Sequence, residues 1–238
     1  MRFITVLQTI ALLAASMTVK AWNQLDKENA AVLIIDYHVG LAQLDRDFNT
    51  NDFRNNMLAH AALGNLFDLS VVMTTSSDAG PNGLTIKEVV DLNPNVTIVH
   101  RQGEVNAWDN AEFRAAIQAT GKKQLIVSGI VTEVYRHRLL GPLAHRRRIR
   151  GLANTEASGT FDDKLAADAN RRMEKAGVTL MGTFGVVTDL MRDWRNTPGL
   201  DQVLPYLDKY QYACGLVARH HAGALENGTL AAVQSTLI

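Results

Sequence analysis

The chain has 238 residues, and its 24 Lys and Arg residues balance 24 Asp and Glu residues, so the formal net charge is zero. With 47% apolar and 20% charged residues and only 5 Pro, the composition is that of one globular domain of ordinary size. The charge balance excludes a generally basic nucleic-acid-binding protein and an acidic disordered tail. The single cysteine, Cys214, excludes an intramolecular disulfide and a metal cluster built on cysteines.

Residues 1–21 differ from the rest of the chain, because an early Arg2 is followed by an apolar run with polar interruptions. The run has about 17 residues, whereas a membrane-spanning helix needs about 20. The small residue Ala21 offers a place where a signal peptidase would cut. The segment therefore predicts a secretory signal, and the alternative is an N-terminal extension on a cytoplasmic protein.

From residue 31 onward, short β-rich runs alternate with longer helical runs. The first run, residues 31–36 (AVLIID), is continuously apolar and ends in an acid, as expected of a strand buried on both faces. Further strands are predicted over residues 70–75, 97–100, 124–130 and 179–182. Helices are predicted over residues 52–66, 85–92, 111–120 and 165–176. This alternation predicts an α/β domain over residues 25–196, with a mainly parallel sheet and helices on both faces. Residues 197–238 have no strand pattern, and we expect them to form a helical or irregular tail.

Polar residues follow several of the predicted strands, where ligands bind in parallel sheets. They are Asp36 after the first strand, residues 74–76 after the second, Arg101 after the third, and Thr132-Glu133 after the fourth. The pattern places an acid, a cation and a strand-to-helix turn at one edge of the sheet. Such a combination lowers the pKa of a thiol and accepts its proton, so a reactive thiol is expected where the fourth strand turns into its helix.

Several blocks of the sequence resemble the isochorismatase-like cysteine hydrolases, in particular their YcaC-related branch. The blocks are AVLIIDYHVGL (residues 31–41), TTSSDAGPNG (74–83), HRQGEVNAWDN (100–110), KKQLIVSGIVTEV (122–134), NTEASGTF (154–161) and MRDWRN (191–196). The resemblance implies a three-layer Rossmann-like α/β fold, homo-oligomers, and hydrolysis of an amide-like carbon–nitrogen bond in a small molecule. It assigns Asp36 as the base that activates a cysteine, and Arg101 as the cation. It also places a cis peptide at Val131-Thr132, which would help to form an oxyanion pocket.

The nucleophile is where the chain departs from this family. The family motif T-E-V-C reads Thr132-Glu133-Val134-Tyr135 here. Tyrosine is no conservative replacement, because its pKa is about 10 against about 8.5 for cysteine, and its ring would fill space that a substrate needs. Cys214 belongs to the tail and offers no evident substitute. We therefore expect negligible hydrolase activity, and a catalytically inactive protein that keeps the fold for assembly or binding is the alternative to an enzyme.

The anomaly extends over residues 135–152 (YRHRLLGPLAHRRRIRGL), which contain six Arg, two His and no acid. The fold needs a helix and then a buried strand here, but Gly141-Pro142 interrupts a helix. Residues 146–150 also place four charges where an apolar strand is expected. The simplest hypothesis is a segment translated out of frame. Without its six arginines, the chain would carry 18 basic against 24 acidic residues, so the neutral total combines an acidic domain with a basic segment.

A competing interpretation makes the arginine run a patch that binds nucleic acid or an acidic membrane. Short basic clusters can do this, but no aromatic residues interleave this one to stack on bases, so neither partner is expected. Thr75, Ser76 and Asn106 either contact the substrate or satisfy backbone groups of their loops. The histidines lack the spacing of the metal-binding relatives, so no metal is expected. No glycine-rich nucleotide-binding motif follows any strand, so no cofactor is expected either.

Overall fold

Six parallel strands form one sheet in the computed structural model of the chain, which describes residues 24–134 and 149–229. The strands are β1 (Ala30–Ile35), β2 (Ser70–Ser76), β3 (Ile98–Arg101), β4 (Gln124–Gly129), β5 (Arg150–Asn154) and β6 (Thr179–Met181). Their order across the sheet is β3-β2-β1-β4-β5-β6, and every neighbouring pair is parallel. The direction of winding reverses between β1 and β4, which is where sheets of this kind bind ligands beyond the carboxyl ends of their strands.

Helices cover both faces of the sheet. They are α1 (Val39–Ala42), α2 (Thr50–Phe67), α3 (Lys87–Leu92), α4 (Ala111–Ala119), α5 (Asp163–Lys175), α6 (Thr183–Met191), α7 (Leu200–Tyr210) and α8 (Tyr212–Glu226). Short 3-10 turns lie at Lys27–Asn29 and Ala107–Asp109. The side chains of α2, α6 and α7 pack on one face of the sheet, and those of α4 and α5 pack on the other. The three layers confirm the predicted α/β fold.

Strand β1 shows why the core divides in this way. All six of its residues are buried, and alternate side chains point to opposite faces. Val32 and Ile34 belong to the core with α2, whereas Leu33 and Ile35 belong to the core with α4. A strand that is covered on both faces is stabilised by a continuous apolar run, and β1 has this pattern.

Asparagine and aspartate side chains cap the N-termini of three of the helices. Asn49 accepts a hydrogen bond from the N–H of Asn51 at the start of α2, Asn110 accepts one from Phe113, and Asp162 accepts one from Leu165. Such caps satisfy backbone donors that a helix leaves unpaired. The predicted helices and strands agree with the observed ones to within about two residues at each end, which is ordinary for boundaries read from a pattern.

Strand β5 corrects the expectation for the arginine-rich segment. The strand begins at Arg150 and continues to Asn154, later than the expected residues 146–150, of which 146–148 lie outside the described residues. Only Arg150 is exposed, and the apolar part, including Leu152, pairs with β4 in regular parallel register. The sequence favours this placement, since the later position buries no charge. The anomaly therefore does not extend over residues 150–152.

The tail forms two helices, α7 and α8, which pack against each other. The described part of the tail, up to residue 229, contains no strand. Over the described ranges 24–134 and 149–229, no helix is long and apolar enough to cross a membrane. The predicted signal segment and Tyr135 lie outside the described residues.

Candidate active site

Asp36 lies directly after β1, at the centre of the carboxyl edge of the sheet. Its backbone adopts the left-handed conformation with φ of 56°, which aspartate tolerates better than most residues. The backbone N–H of Asp36 donates to Thr74, and its C=O accepts from the N–H of His38. The side chain is only 8% exposed. The turn therefore holds the carboxylate inside the protein instead of releasing it to solvent.

Arg101, the last residue of β3, reaches Asp36 across β2. Its guanidinium donates to Oδ2 of Asp36, and the arginine side chain is fully buried. Nε donates to Oγ1 of Thr74 at 3.2 Å, and Nη1 donates to the backbone oxygens of Glu104 and Val105 at 2.7 and 3.2 Å. Partners on three sides fix the orientation of the guanidinium, as a buried cation requires. Asp36 and Arg101 thus meet as the sequence predicted.

The other carboxylate oxygen of Asp36 has no hydrogen-bond partner in the part of the chain that the structure describes. Oδ1 is buried and makes no hydrogen bond among the described residues. Nε2 of His38 lies 3.5 Å from it, but that nitrogen accepts the N–H of Ser76 at 3.0 Å. Nδ1 of His38 donates to the backbone oxygen of Gly83 at 2.6 Å, so both ring nitrogens are used. A buried acceptor without a donor costs free energy, and here it gives the site one carboxylate oxygen that can take a proton.

Thr75 and Ser76 stand at the end of β2, and both are engaged with neighbouring side chains. Oγ1 of Thr75 lies 3.2 Å from Nδ1 of His100, which also contacts the carboxylate of Asp78. Burial raises the pKa of Asp78, but hydrogen bonds from Thr75 and His100 outweigh burial, so this pKa lies below its ordinary value. The C=O of Ser76 accepts from Asn82. Both residues thus satisfy groups of their loops, and a contact with substrate stays a prediction.

Asn106 lies at the start of the 3-10 turn Ala107–Asp109. Its Oδ1 accepts a hydrogen bond from the N–H of Trp108 at 3.2 Å, which caps that turn. The residue is buried next to the loop that holds Arg101. Of the two predicted roles, the structure gives Asn106 the structural one, and a contact with substrate stays a prediction.

The turn after β4 contains a cis peptide between Ile130 and Val131. The predicted position, Val131-Thr132, was wrong by one residue, because β4 ends at Gly129 and the turn begins one residue earlier than expected. At Gly129 the strand needs glycine, since a Cβ atom would lie 2.3 Å from the backbone oxygen of Ile35. The turn therefore packs directly against the residue that precedes Asp36.

A loop after β5 holds the far side of this turn. The C=O of Gly159 accepts from both the N–H and the Oγ1 of Thr132, each at 3.1 Å. The next residue, Thr160, donates from its hydroxyl to Glu133 and from its N–H to Oδ1 of Asp47 at 2.7 Å. The N–H of Thr132 would have to leave Gly159 before it could bind an oxyanion. The pattern of the sequence did not identify this loop as a support for the turn, because the two segments are distant in the chain.

Asp45 is a second buried acid that the sequence did not single out. It is 6% exposed, and neither carboxylate oxygen has a hydrogen-bond partner among the described residues. Burial, together with the nearby carboxyl of Asp47, raises the pKa of Asp45 to about 8. Its Oδ1 faces Gly159, where an added Cβ would lie 2.4 Å away. Asp45 thus lies beneath the loop that supports Thr132.

Two further features bear on the chemistry. Within residues 24–134 and 149–229, no group of three or more His, Cys, Asp or Glu side chains could hold a metal ion. Cys214 lies in α8 and packs partly against the core on the side of α2 and α7. It takes no part in the hydrogen bonds that hold Asp36 and Arg101.

Comparison with known proteins gives close relatives, although no protein-family model matches the chain. The chain is 42% identical over 179 residues to the Escherichia coli K12 protein named Probable hydrolase YcaC, covering 74% of this chain and 85% of the relative. A structure of the YcaC product from Escherichia coli, described as an octameric hydrolase of unknown specificity, has a TM-score of 0.82 and 36% identity. It covers 86% of this chain and 99% of the other.

The YcaC structure from Pseudomonas aeruginosa, with hexane-2,5-diol and covalent acrylamide, gives a TM-score of 0.81 at 37% identity, covering 85% of this chain and 98% of that one. An isochorismatase-family protein from Burkholderia thailandensis shares the fold at 13% identity, with a TM-score of 0.59 over 68% of this chain and 96% of the other. The sequence motifs in their order, the parallel sheet and these similarities all indicate the same family. The chain belongs to the isochorismatase-like hydrolases and is related to YcaC.

Proposed function

We propose that this chain keeps the proton-accepting half of an amide-type cysteine hydrolase site but lacks the nucleophile. The observation that carries the proposal is the buried pair of Asp36 and Arg101, in which Oδ1 of Asp36 has no donor among residues 24–134 and 149–229. In a hydrolase with a cysteine at position 135, that oxygen would take the thiol proton as sulfur attacks the carbonyl carbon. Arg101 would hold the carboxylate in place through the other oxygen.

With Tyr135 at the nucleophile position, the acyl-enzyme of this mechanism cannot form. A phenol keeps its proton at neutral pH far more firmly than a thiol does. We therefore propose that the chain as written has negligible hydrolase activity. The site would still accept a small molecule with a hydrogen-bond donor, since the free oxygen of Asp36 remains. Assembly into a homo-oligomer is part of the same proposal and is supported by the octamer described for the Escherichia coli relative.

The test measures ammonia release from a panel of small primary amides. We expect no release above that of an Asp36→Asn variant, which removes the proton acceptor. Release that falls on Asp36→Asn would show that the chain is an active enzyme and would contradict the proposal. We also expect Tyr135→Cys alone not to restore activity, because the arginine-rich residues that follow it remain. Recovery of activity in that single variant would refute this second expectation.

Two explanations of the missing cysteine and of the arginine-rich segment predict different experimental results. If residues 135–148 come from a shifted frame, the coding DNA across residues 130–155 contains another frame that encodes a cysteine followed by an apolar helix and strand. In that case the protein as written should be poorly soluble. A protein that folds and assembles without turnover instead favours a retained, inactive member of the family. Binding of nucleic acid by the arginine run is not proposed, because no aromatic residues interleave the run to stack on bases.

The predicted secretory signal in residues 1–21 remains a proposal. N-terminal sequencing of the protein recovered from its native source tests it. We expect a mature chain that begins after Ala21. A chain that retains residues 1–21 would favour the N-terminal extension.

A further inference from the structure

The segment Asp45-Arg46-Asp47, between α1 and α2, holds the loop that follows β5. The backbone N–H of Arg46 donates to the C=O of Thr160 at 2.8 Å, and the N–H of Thr160 donates to Oδ1 of Asp47 at 2.7 Å. Oδ1 of Asp45 faces the preceding loop residue, Gly159, where an added Cβ atom would lie 2.4 Å away. The two carboxyl groups therefore meet two consecutive residues of one loop.

The same loop holds the turn after β4. The C=O of Gly159 accepts from the N–H and the hydroxyl of Thr132, and the hydroxyl of Thr160 donates to Glu133. Both threonines are buried, so water cannot replace these hydrogen bonds while the loop stays in place. A displacement of Gly159 and Thr160 would therefore release the N–H of Thr132.

The carboxyl group of Asp45 lies in surroundings that disfavour a negative charge. It is buried, and neither of its oxygens has a hydrogen-bond partner in the part of the chain that the structure describes. The carboxyl group of Asp47 lies within hydrogen-bonding reach of it. Two ionised carboxylates repel each other and cannot form a hydrogen bond, whereas one proton between them gives both a partner. The arrangement therefore favours a pair that holds a single proton.

The charged groups around Asp45 leave this proton in place. The guanidinium of Arg46 favours the ionised form of Asp45, but it donates to two backbone oxygens, and burial and Asp47 have larger effects. Charged groups on the other segments nearby are engaged elsewhere, namely Arg54 of α2 with Glu88, and Glu133 with the hydroxyl of Thr160. The pKa of Asp45 is therefore raised to about 8.

We propose that Asp45 and Asp47 share one proton, and that this proton keeps the loop of Gly159 and Thr160 closed over Thr132. When the proton is lost, two negative charges lie side by side inside the protein, and the loop opens so that water can reach them. The opening frees the N–H of Thr132. This switch needs neither a nucleophile nor a second copy of the chain, so it is independent of the proposed function.

The direction of the pH dependence follows from the two pKa values of Asp45. Its pKa is about 8 in the closed form, and it returns towards the ordinary 3.8 once water reaches the carboxyl group. Between these values the closed form binds more protons than the open form. The equilibrium constant for opening therefore rises with pH, by at most about tenfold per pH unit, and levels off above about pH 8.

Amide hydrogen exchange of the full chain, followed by mass spectrometry at pH 5, 6.5 and 8, tests this switch. Peptides that cover residues 130–134 and 155–161 report on the loop and the turn, and a peptide that covers residues 31–35 of β1 reports on unfolding of the whole domain. The rates are corrected for the intrinsic effect of pH on exchange. We expect the protection of the loop and the turn to be lower than that of β1, and to fall at least about tenfold from pH 5 to pH 8.

Two variants assign the effect to Asp45. In Asp45→Asn the amide can donate to Asp47 at every pH, so the protection of the loop should change by less than about twofold over the same range. Asp201→Asn, which changes an exposed acid in the first turn of α7, is the matched control and should behave like the wild type. Circular dichroism checks that both variants fold.

The proposal is wrong if the loop is as well protected as β1, since the loop then opens only when the whole domain unfolds. It is also wrong if protection in the wild type is independent of pH, or if its fall with pH persists in Asp45→Asn. Should Asp45→Asn not fold, Asp47→Asn gives the answer. Removal of this neighbouring charge lowers the pKa of Asp45 and should shift the fall in protection to lower pH, and an unchanged profile would contradict the shared proton.

Discussion

Nε2 of His38 lies 3.5 Å from Oδ1 of Asp36, yet it cannot donate to that oxygen, because it accepts the backbone N–H of Ser76. The imidazole thus stands beside the carboxylate without satisfying it. Arg101 holds the other oxygen of the same carboxylate. The geometry separates two roles within one side chain, since one oxygen fixes Asp36 in place and the other is left as an acceptor.

This relationship predicts the tautomer of His38. Because Nδ1 donates to Gly83 and Nε2 accepts from Ser76, the neutral ring should carry its proton on Nδ1. Nitrogen-15 spectra of the histidine rings at pH 8 should show one buried ring with this tautomer, and His38→Gln should remove its signal. A proton on Nε2 would point it towards Asp36 and would contradict the absence of a donor at Oδ1.

We expect Asp36 and Arg101 to stabilise the folded protein mainly through the ion pair that they form with each other. Arg101→Met leaves a buried carboxylate without its cation, and we expect it to lower the free energy of unfolding by about 3–5 kcal/mol. Asp36→Asn in the same chain should recover part of this loss, because the neutral amide needs no counter-charge. Urea unfolding of the wild type, both single variants and the double variant measures the coupling. Arg195→Met, which breaks an exposed pair with Asp193, serves as the control and should leave the urea midpoint unchanged. Additive effects at Asp36 and Arg101 would contradict the contact.

Asp45 should make the protein less stable as the pH rises. Its pKa is raised from 3.8 to about 8 in the folded chain, whereas the unfolded chain keeps the ordinary value. Between these two values the folded state binds more protons, so the free energy of unfolding decreases from about pH 4 to about pH 8. Asp45→Asn keeps a neutral side chain of the same shape and should remove this part of the dependence. We therefore expect the variant to gain stability over the wild type at pH 9 and little at pH 5.

Urea midpoints at the two pH values check this prediction. Asp163→Asn, which changes an exposed acid in the first turn of α5, is the matched control. It should shift the midpoint by a similar small amount at both pH values. An Asp45→Asn variant whose difference from the wild type does not grow with pH would show that Asp45 is ionised in the folded protein.

Gly129 should tolerate no side chain. An added Cβ would lie 2.3 Å from the backbone oxygen of Ile35, so Gly129→Ala must move β4 away from β1 next to the site. We expect a loss of about 1–3 kcal/mol in the free energy of unfolding. Gly103→Ala is the matched control, because no heavy atom other than those of the glycine and its two chain neighbours lies within 4 Å of the added Cβ. Thermal unfolding followed by circular dichroism compares the two, and equal effects would contradict the close approach of the strands.

Asp36 and Arg101 could be placed from the sequence because each ends a run with the pattern of a buried strand. Parallel strands bring their carboxyl ends to one edge, so local patterns were enough to predict that an acid and a cation meet there. The arginine-rich segment is the exception, because its pattern places charges at residues 146–150, where an apolar strand is expected. The strand begins instead where the charges end, at Arg150.

Other parts of the site depend on residues that are far apart in the chain. The support of Thr132 by Gly159, the contact of Glu133 with Thr160, and the burial of Asp45 leave no periodic pattern. The two backbone partners of His38, Gly83 and Ser76, also cannot be predicted from the sequence, because they meet its ring only when the loops after β1 and β2 are folded together.

The sequence by itself determined the class of fold, the family, the strand-end residues and the departure at Tyr135. These follow from local periodicity and from short motifs, which need no knowledge of distant contacts. Only the tertiary structure decided that Oδ1 of Asp36 has no donor among the described residues, that the cis peptide lies at Ile130-Val131, and that Leu216 and Val217 of α8 are exposed. Each of these properties depends on contacts between residues that are far apart in the sequence. The packing of the folded chain decides those contacts, so no local pattern predicts them.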